Sequence, residues 1–190
     1  MTNNQDLTTH RYHDVVSRND PQLAGQVCLA LVSEGSTHGW ALSGLLAPDG
    51  DIGRIWSLSR PLTYRALDQL VADGLVVRVG TVPGGGRSRT LLAATDAGLA
   101  ATREWLDLPV ELPRDVRSEL LLKLALRERA GLALAPLAVA QRVRFTPMMA
   151  ALDRPTDSSA PIDSDFVARW RREHLIAIDR FLASFMDLPT

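Results

Sequence analysis

The chain has 190 residues, and 46% of them are apolar, enough for a buried core and far above the disordered range. With 21 basic and 22 acidic side chains its net charge is -1, which excludes coating nucleic acid by bulk charge but leaves room for a local basic patch. A single cysteine excludes an internal disulfide and a zinc site built from cysteines.

The basic residues are 20 Arg and one Lys. A GC-rich genome is the plain reading of that bias. Its consequence is that any phosphate contact comes from Arg, which can bind bidentately. No apolar run reaches the roughly 18 residues a membrane span needs, because Lys123, Arg127, Glu128 and Arg129 interrupt the leucine-rich segment from Leu120. The opening MTNNQDLTTHRYHD lacks an apolar signal core. A cytoplasmic protein without a membrane partner is expected.

Residues 1–21 read as a polar arm closing with Asn19, Asp20 and Pro21. His10 and His13 lie in it, but no companion ligands support a metal site. From Gln22, Leu23, Val27, Ala30 and Leu31 recur at helical spacing up to Gly35. Cys28 in this helix is either a small buried residue or a redox switch. Ser36 and Thr37 are placed to cap a second helix through Leu46. A loop from Pro48 to Gly53 precedes a third helix in SLSRPLTYRALDQLVADG, with Ser57 or Ser59 as N-cap, Pro61 in the first turn and Gly74 as stop. At 100° per residue, Leu62, Ala66, Leu67, Leu70 and Val71 share one face; Pro61, Tyr64, Arg65 and Asp68 share the other.

Val76, Val77 and Val79, then Pro83 to Gly86, then Thr90 to Leu92 predict a β-hairpin with a glycine-rich, arginine-bearing tip. That loop joins two strands and has no Lys, so it is not a nucleotide-binding loop. Thr95 caps a fourth helix through Trp105 to about Leu108. After Pro109 and Pro113, one helix is expected from Asp115 to Ala130 and another from Pro136, stopped by Pro147. Residues 153–163 read as a polar linker. The last helix runs from about Asp165 to Met186, with an apolar seam including Val167, Trp170, Ala177, Ile178, Phe181, Leu182 and Phe185, on which His174 falls.

Helix, helix, helix, hairpin is the order of a winged helix-turn-helix, whose second helix of the pair enters the major groove while the hairpin lies along the backbone or minor groove. Local charge agrees. Arg54, Arg60 and Arg65 occur between Ile52 and Leu67 with no acid, and Arg78, Arg87 and Arg89 between Gly74 and Thr95 with no acid. A solvated face is the alternative for either trio alone.

These residues resemble the PadR family of bacterial transcription regulators. The resemblance rests on LALVSEGSTHGW, with Trp40 where the family usually carries Tyr, and on LSRPLTYRALDQLVADGLV from Leu58 to Val76. The wing Gly85, Gly86, Arg87, Ser88, Arg89 and the Thr95–Gly98 helix entry complete it. The closing strand lacks the family's Tyr, and Ser59, Arg60, Pro61, Leu62 stand at its Ser-Pro-Gly-Thr start. The resemblance implies a homodimer on a pseudo-palindromic operator, often a repressor, released in some members by a small aromatic ligand near the dimer interface.

The expected architecture is therefore mainly α: a winged helix-turn-helix over 22–108, followed over 109–190 by a helical dimerisation region. The DNA-contact candidates are Ser57, Ser59, Arg60, Tyr64, Arg65, Arg87 and Arg89, with packing against the wing as the alternative for Tyr64. Asp68 on the same face would repel phosphate; orienting Arg65 and rejecting other sites are its two open readings. Trp105, Trp170 and His174 are effector candidates; the alternatives are ordinary core for Trp105 and the dimer seam for the other two. The expected partners are double-stranded DNA, a second copy of the chain and a small-molecule effector, with no cofactor and no metal. No catalytic triad, metal motif or carboxylate pair points to an enzyme. A winged-helix module that binds protein and not DNA is the competing function.

Overall fold

The computed structural model describes residues 20–84, 88–152 and 166–186. The polar arm apart from Asp20 and Pro21, the hairpin tip residues Gly85, Gly86 and Arg87, and the 153–163 linker lie outside the described residues. Helix α1 spans Pro21–Ser33, α2 Gly39–Leu45 and α3 Arg60–Ala72; strands β1 (Val76–Val82) and β2 (Arg89–Ala94) follow, then α4 (Asp96–Asp107). This is a winged helix-turn-helix, as the element order and apolar spacing led us to expect.

Local chemistry sets the boundaries. Asp20 is not part of a loose end: its Oδ1 accepts the Gln22 and Leu23 N–H groups at 2.9 and 3.3 Å, and Pro21 occupies the first helical position. Helix α2 is capped by His38, whose Nδ1 accepts the Ala41 N–H at 3.0 Å, and not by Ser36 or Thr37. Thr37 is taken by the sheet: it exchanges both backbone hydrogen bonds with Leu92, at 3.0 and 2.7 Å. Helix α3 stops at Gly74, where φ of +71° suits glycine and the Leu75 N–H closes on the Leu70 carbonyl. The hairpin is antiparallel from Val76↔Ala94 to Val82↔Arg89, with a bulge between Arg78 and Gly80.

Beyond the wing, a 3-10 turn (Pro113–Asp115) and a π turn (Val116–Leu120) lead into α5 (Leu121–Arg129), followed by α6 (Ala135–Leu152) and α7 (Phe166–Ala183). Two apolar cores result, and α5 serves both. Leu122 and Leu126 join the core of α1 to α4, while Leu124, with Leu120 of the π turn, joins a second with Leu137, Phe145, Leu175, Ile178 and Leu182. At about 1.5–3 kcal/mol per buried leucine, this shared helix ties the two halves firmly. Arg129, at the end of α5, adds a bidentate pair to Glu34 at 2.8 and 2.7 Å. Fully buried Gln141 reads the Val110 backbone as a peptide group would, donating to its carbonyl at 3.0 Å and accepting its N–H at 2.7 Å.

Pro147 does not stop α6. The helix runs through it to Leu152, because Phe145, Met148, Met149 and Leu152 lie against the second core and their burial outweighs the missing hydrogen bond. Pro147→Ala is accordingly expected to stabilise the fold by about 2 kcal/mol, the ~3 kcal/mol interior-proline cost less the entropy that proline removes from the unfolded chain. Thermal melting checks this; an unchanged or lower midpoint would mean that α6 is built around the proline.

Cys28 is fully buried in α1, and burial pushes its thiol up to about 12. That environment suppresses the thiolate and supports the packing role over the redox switch. No helix among the described residues is long and apolar enough to cross a membrane.

Candidate nucleic-acid interface

Helix α3 presents two exposed edges. Tyr64 and Asp68, one turn apart, face the wing together with Arg60 at the helix start, while Arg65 and Gln69 turn toward α1. Between α3 and the wing lies an open cleft of about 750 Å³ bordered by His38, Trp40, Arg60, Tyr64, Asp68, Arg78 and Arg89. The fold thus gathers Arg60, Tyr64 and Arg89, which are distant in sequence, around one opening. Arg65 lines a separate groove of about 780 Å³ with Leu62, Leu58, Leu29 and Trp105. Ser57 is half-buried ahead of α3; Ser59 is exposed and is its N-cap residue, without a side-chain capping bond. Arg87 lies outside the described residues.

Arg60 and Arg65 are exposed and make no hydrogen bond or ion pair among the described residues. Their donors are available to an incoming anion. Tyr64 packs against Gly39 at the start of α2. A Cβ on Gly39 would meet its Cε1 at 2.7 Å, so the glycine makes room for the ring. Asp68 does not orient Arg65. It accepts from Arg78 of β1 at 2.9 Å, a tether across the cleft between α3 and the wing. Arg89, the first residue of β2 on the tip side of the hairpin, lies over the Trp40 ring with its guanidinium carbon 4.3 Å from the centroid.

Trp40, Arg78 and His38 are the border residues that sequence periodicity did not single out for contact. Trp40 is marked only by its exposure in the structure: a tryptophan on a short helix, half open to solvent, is not a core residue.

The effector candidates are not gathered. Trp105 is buried, its Nε1–H donating to Glu119 Oε1 at 3.1 Å, and it floors the groove shared with Arg65. Trp170 and His174 stack on each other at 5.6 Å on α7 and do not border that groove. On the same outward stripe, Val167 and Phe181 are exposed, while Leu175, Ile178 and Leu182 point into the second core. No cluster of three or more His, Cys, Asp or Glu side chains is placed to hold a metal ion among the described residues; His10 and His13 lie outside them.

No family model matches the sequence, and no curated protein matches it. Among solved structures, the chain is similar to Bacillus subtilis PadR in complex with operator DNA, at 19% identity over 86% of this chain and 96% of that chain, with a TM-score of 0.45. It is also similar to Bacillus subtilis PadR in complex with p-coumaric acid, at 17% identity over 88% and 98% of the two chains, with a TM-score of 0.41. A further Bacillus subtilis PadR crystal structure matches at 17% identity over 88% and 97%, with a TM-score of 0.42.

Proposed function

We propose that the protein is a sequence-specific DNA-binding transcriptional regulator, a homodimer that represses from a pseudo-palindromic operator and is released by a small aromatic ligand. The observation that carries this reading is the joint placement of Arg60 and Tyr64 on α3 and Arg89 on the wing around one open cleft. Helix side chains there are set to reach base edges while the wing cation meets the backbone. The exposed stripe of Val167, Trp170 and Phe181 on α7, at alternating three- and four-residue spacing with His174, supports dimerisation by a like helix. Ligand release rests on the sequence resemblance, with the groove floored by Trp105 as the cavity available to an aromatic guest. The role is binding and not catalysis.

The same apolar groove favours the second reading, a winged module that takes a protein segment. Salt separates the two. Fluorescence anisotropy on DNA flanking the protein's own gene, against scrambled DNA, is expected to show selective binding. Its log affinity should fall with log salt by about 0.9 per phosphate neutralised. Binding that shows no sequence preference and no salt dependence would reject the regulator in favour of the protein-binding module. Sedimentation at twice the chain mass tests the dimer.

A further inference from the structure

The Trp40 ring is an exposed apolar surface on the first turn of α2, and its neighbour is a cation of the wing. A cation over a ring face is held without spending a hydrogen bond, so the five N–H donors of Arg89, unpaired among the described residues, remain for an acceptor. Arg78 is in the opposite position: its edge is spent on Asp68. Of the two described wing arginines, Arg89 is therefore both fixed in place and left with its donors, and what fixes it is Trp40.

The residues beside Trp40 act on the same cleft. His38 anchors the start of α2 through its bond to the Ala41 N–H, and Gly39 leaves the space filled by Tyr64. The tripeptide thus sets α3 from one side and the wing from the other.

We infer that Trp40 is a positioning residue for nucleic-acid binding: it holds the Arg89 guanidinium over its ring, with N–H donors left for a backbone phosphate, and so sets the reach of the wing from α3. This assignment rests on the DNA-binding reading above. A phosphate contact carries no sequence information, so the effect belongs to binding of any duplex.

The test uses the full chain and a labelled mixed-sequence duplex of about three helical turns, in a salt series. Trp40→Ala is expected to weaken binding about two- to fivefold, the worth of an exposed cation–π contact. Trp40→Phe keeps a ring and should restore most of the affinity. Arg89→Ala should lower the salt slope by about 0.9. With Arg89→Ala in place, adding Trp40→Ala should cost nothing further, because the ring has nothing left to hold. Trp40 is half exposed, so melting of both variants should match the unaltered protein, which separates positioning from folding.

Losses that add in the double variant, or failure of phenylalanine to rescue, overturn the assignment alone; Trp40 would then touch DNA by itself or serve the fold. If the unaltered protein shows no salt-dependent DNA binding, the DNA-binding reading falls and takes this assignment with it.

Discussion

Arg60→Glu combined with Arg89→Glu is expected to cut affinity for DNA of any sequence by about a hundredfold or more at low salt. Each arginine supplies a charge-assisted contact, and a hydrogen bond to a charged group contributes about 1.5–3 kcal/mol. Losing two such contacts already amounts to roughly two decades, before the added repulsion. The salt slope should also fall by about 1.8, at about 0.9 per lost phosphate contact, so variant and parent converge as salt rises. Both arginines are half-exposed or exposed and neither is in an ion pair among the described residues, so stability should change by no more than about 1 kcal/mol, the worth of the Arg89 contact with Trp40. Arg65→Glu provides the contrast. If it alone matched the double variant, DNA would lie over the α1 side of α3 and not across the cleft beside the wing.

The second large effect concerns the only lysine in the chain. Lys123 is almost fully buried between the two cores. Its Nζ donates to Glu119 at 2.9 Å and to the Leu108 carbonyl at 2.8 Å, and it lies 5.2 Å from the Trp105 ring centroid. Lys123→Ala removes both bonds, opens a cavity and leaves Glu119 with the Trp105 N–H but without its cation, at an expected cost of about 3–5 kcal/mol. Lys123→Met fills the space and should cost less. The two proteins also differ in pH response. Burial lowers the Lys123 pKa below the ordinary lysine value of 10.5, and the Glu119 contact offsets this only in part. Between the lowered value and 10.5 the unfolded chain binds more protons than the folded one, so lysine's contribution to stability rises with pH across that window. Below it, the full burial penalty on the charged amine is present. Denaturant unfolding from neutral to alkaline pH should therefore show the parent gaining on Lys123→Met. A parallel course for the two would mean that the amine is solvated.

The helix-helix-helix-hairpin order was legible because its signals are local: Thr95 as a cap, Pro61 at a first turn, Gly74 at a last one, and the Leu67/Leu70 face of α3; Asp20 and Pro21, read as the end of an arm, prove to start α1. What was not legible depends on partners far away in the chain. Thr37 looks like a helix cap until Leu92 claims its backbone. Pro147 looks like a stop until the core beneath Phe145 and Met149 is in place. For the site, the helical wheel gave the outward face of α3 correctly but could not divide it. The wing's position decides that Tyr64 and Asp68 border the cleft and Arg65 does not. Asp68, an apparent liability beside phosphate, has its partner ten residues on, across a turn and into a strand. Gln141 carries no periodic signal, since one buried polar residue on an apolar face is identified only by the peptide group it meets.

Sealing the only thiol inside α1 gives the molecule a natural stopwatch. With the Cys28 thiol pushed up to about 12 and no solvent contact, an alkylating reagent meets a reactive sulfur only when α1 leaves the core. The helix packs on α3, α4, α5 and β2, so its release dismantles the whole amino-terminal half. The rate of alkylation therefore counts opening events at a single address, with no engineered probe. Anything that grips the closed form, a duplex at the cleft or a guest in the groove, slows the count in proportion to its occupancy.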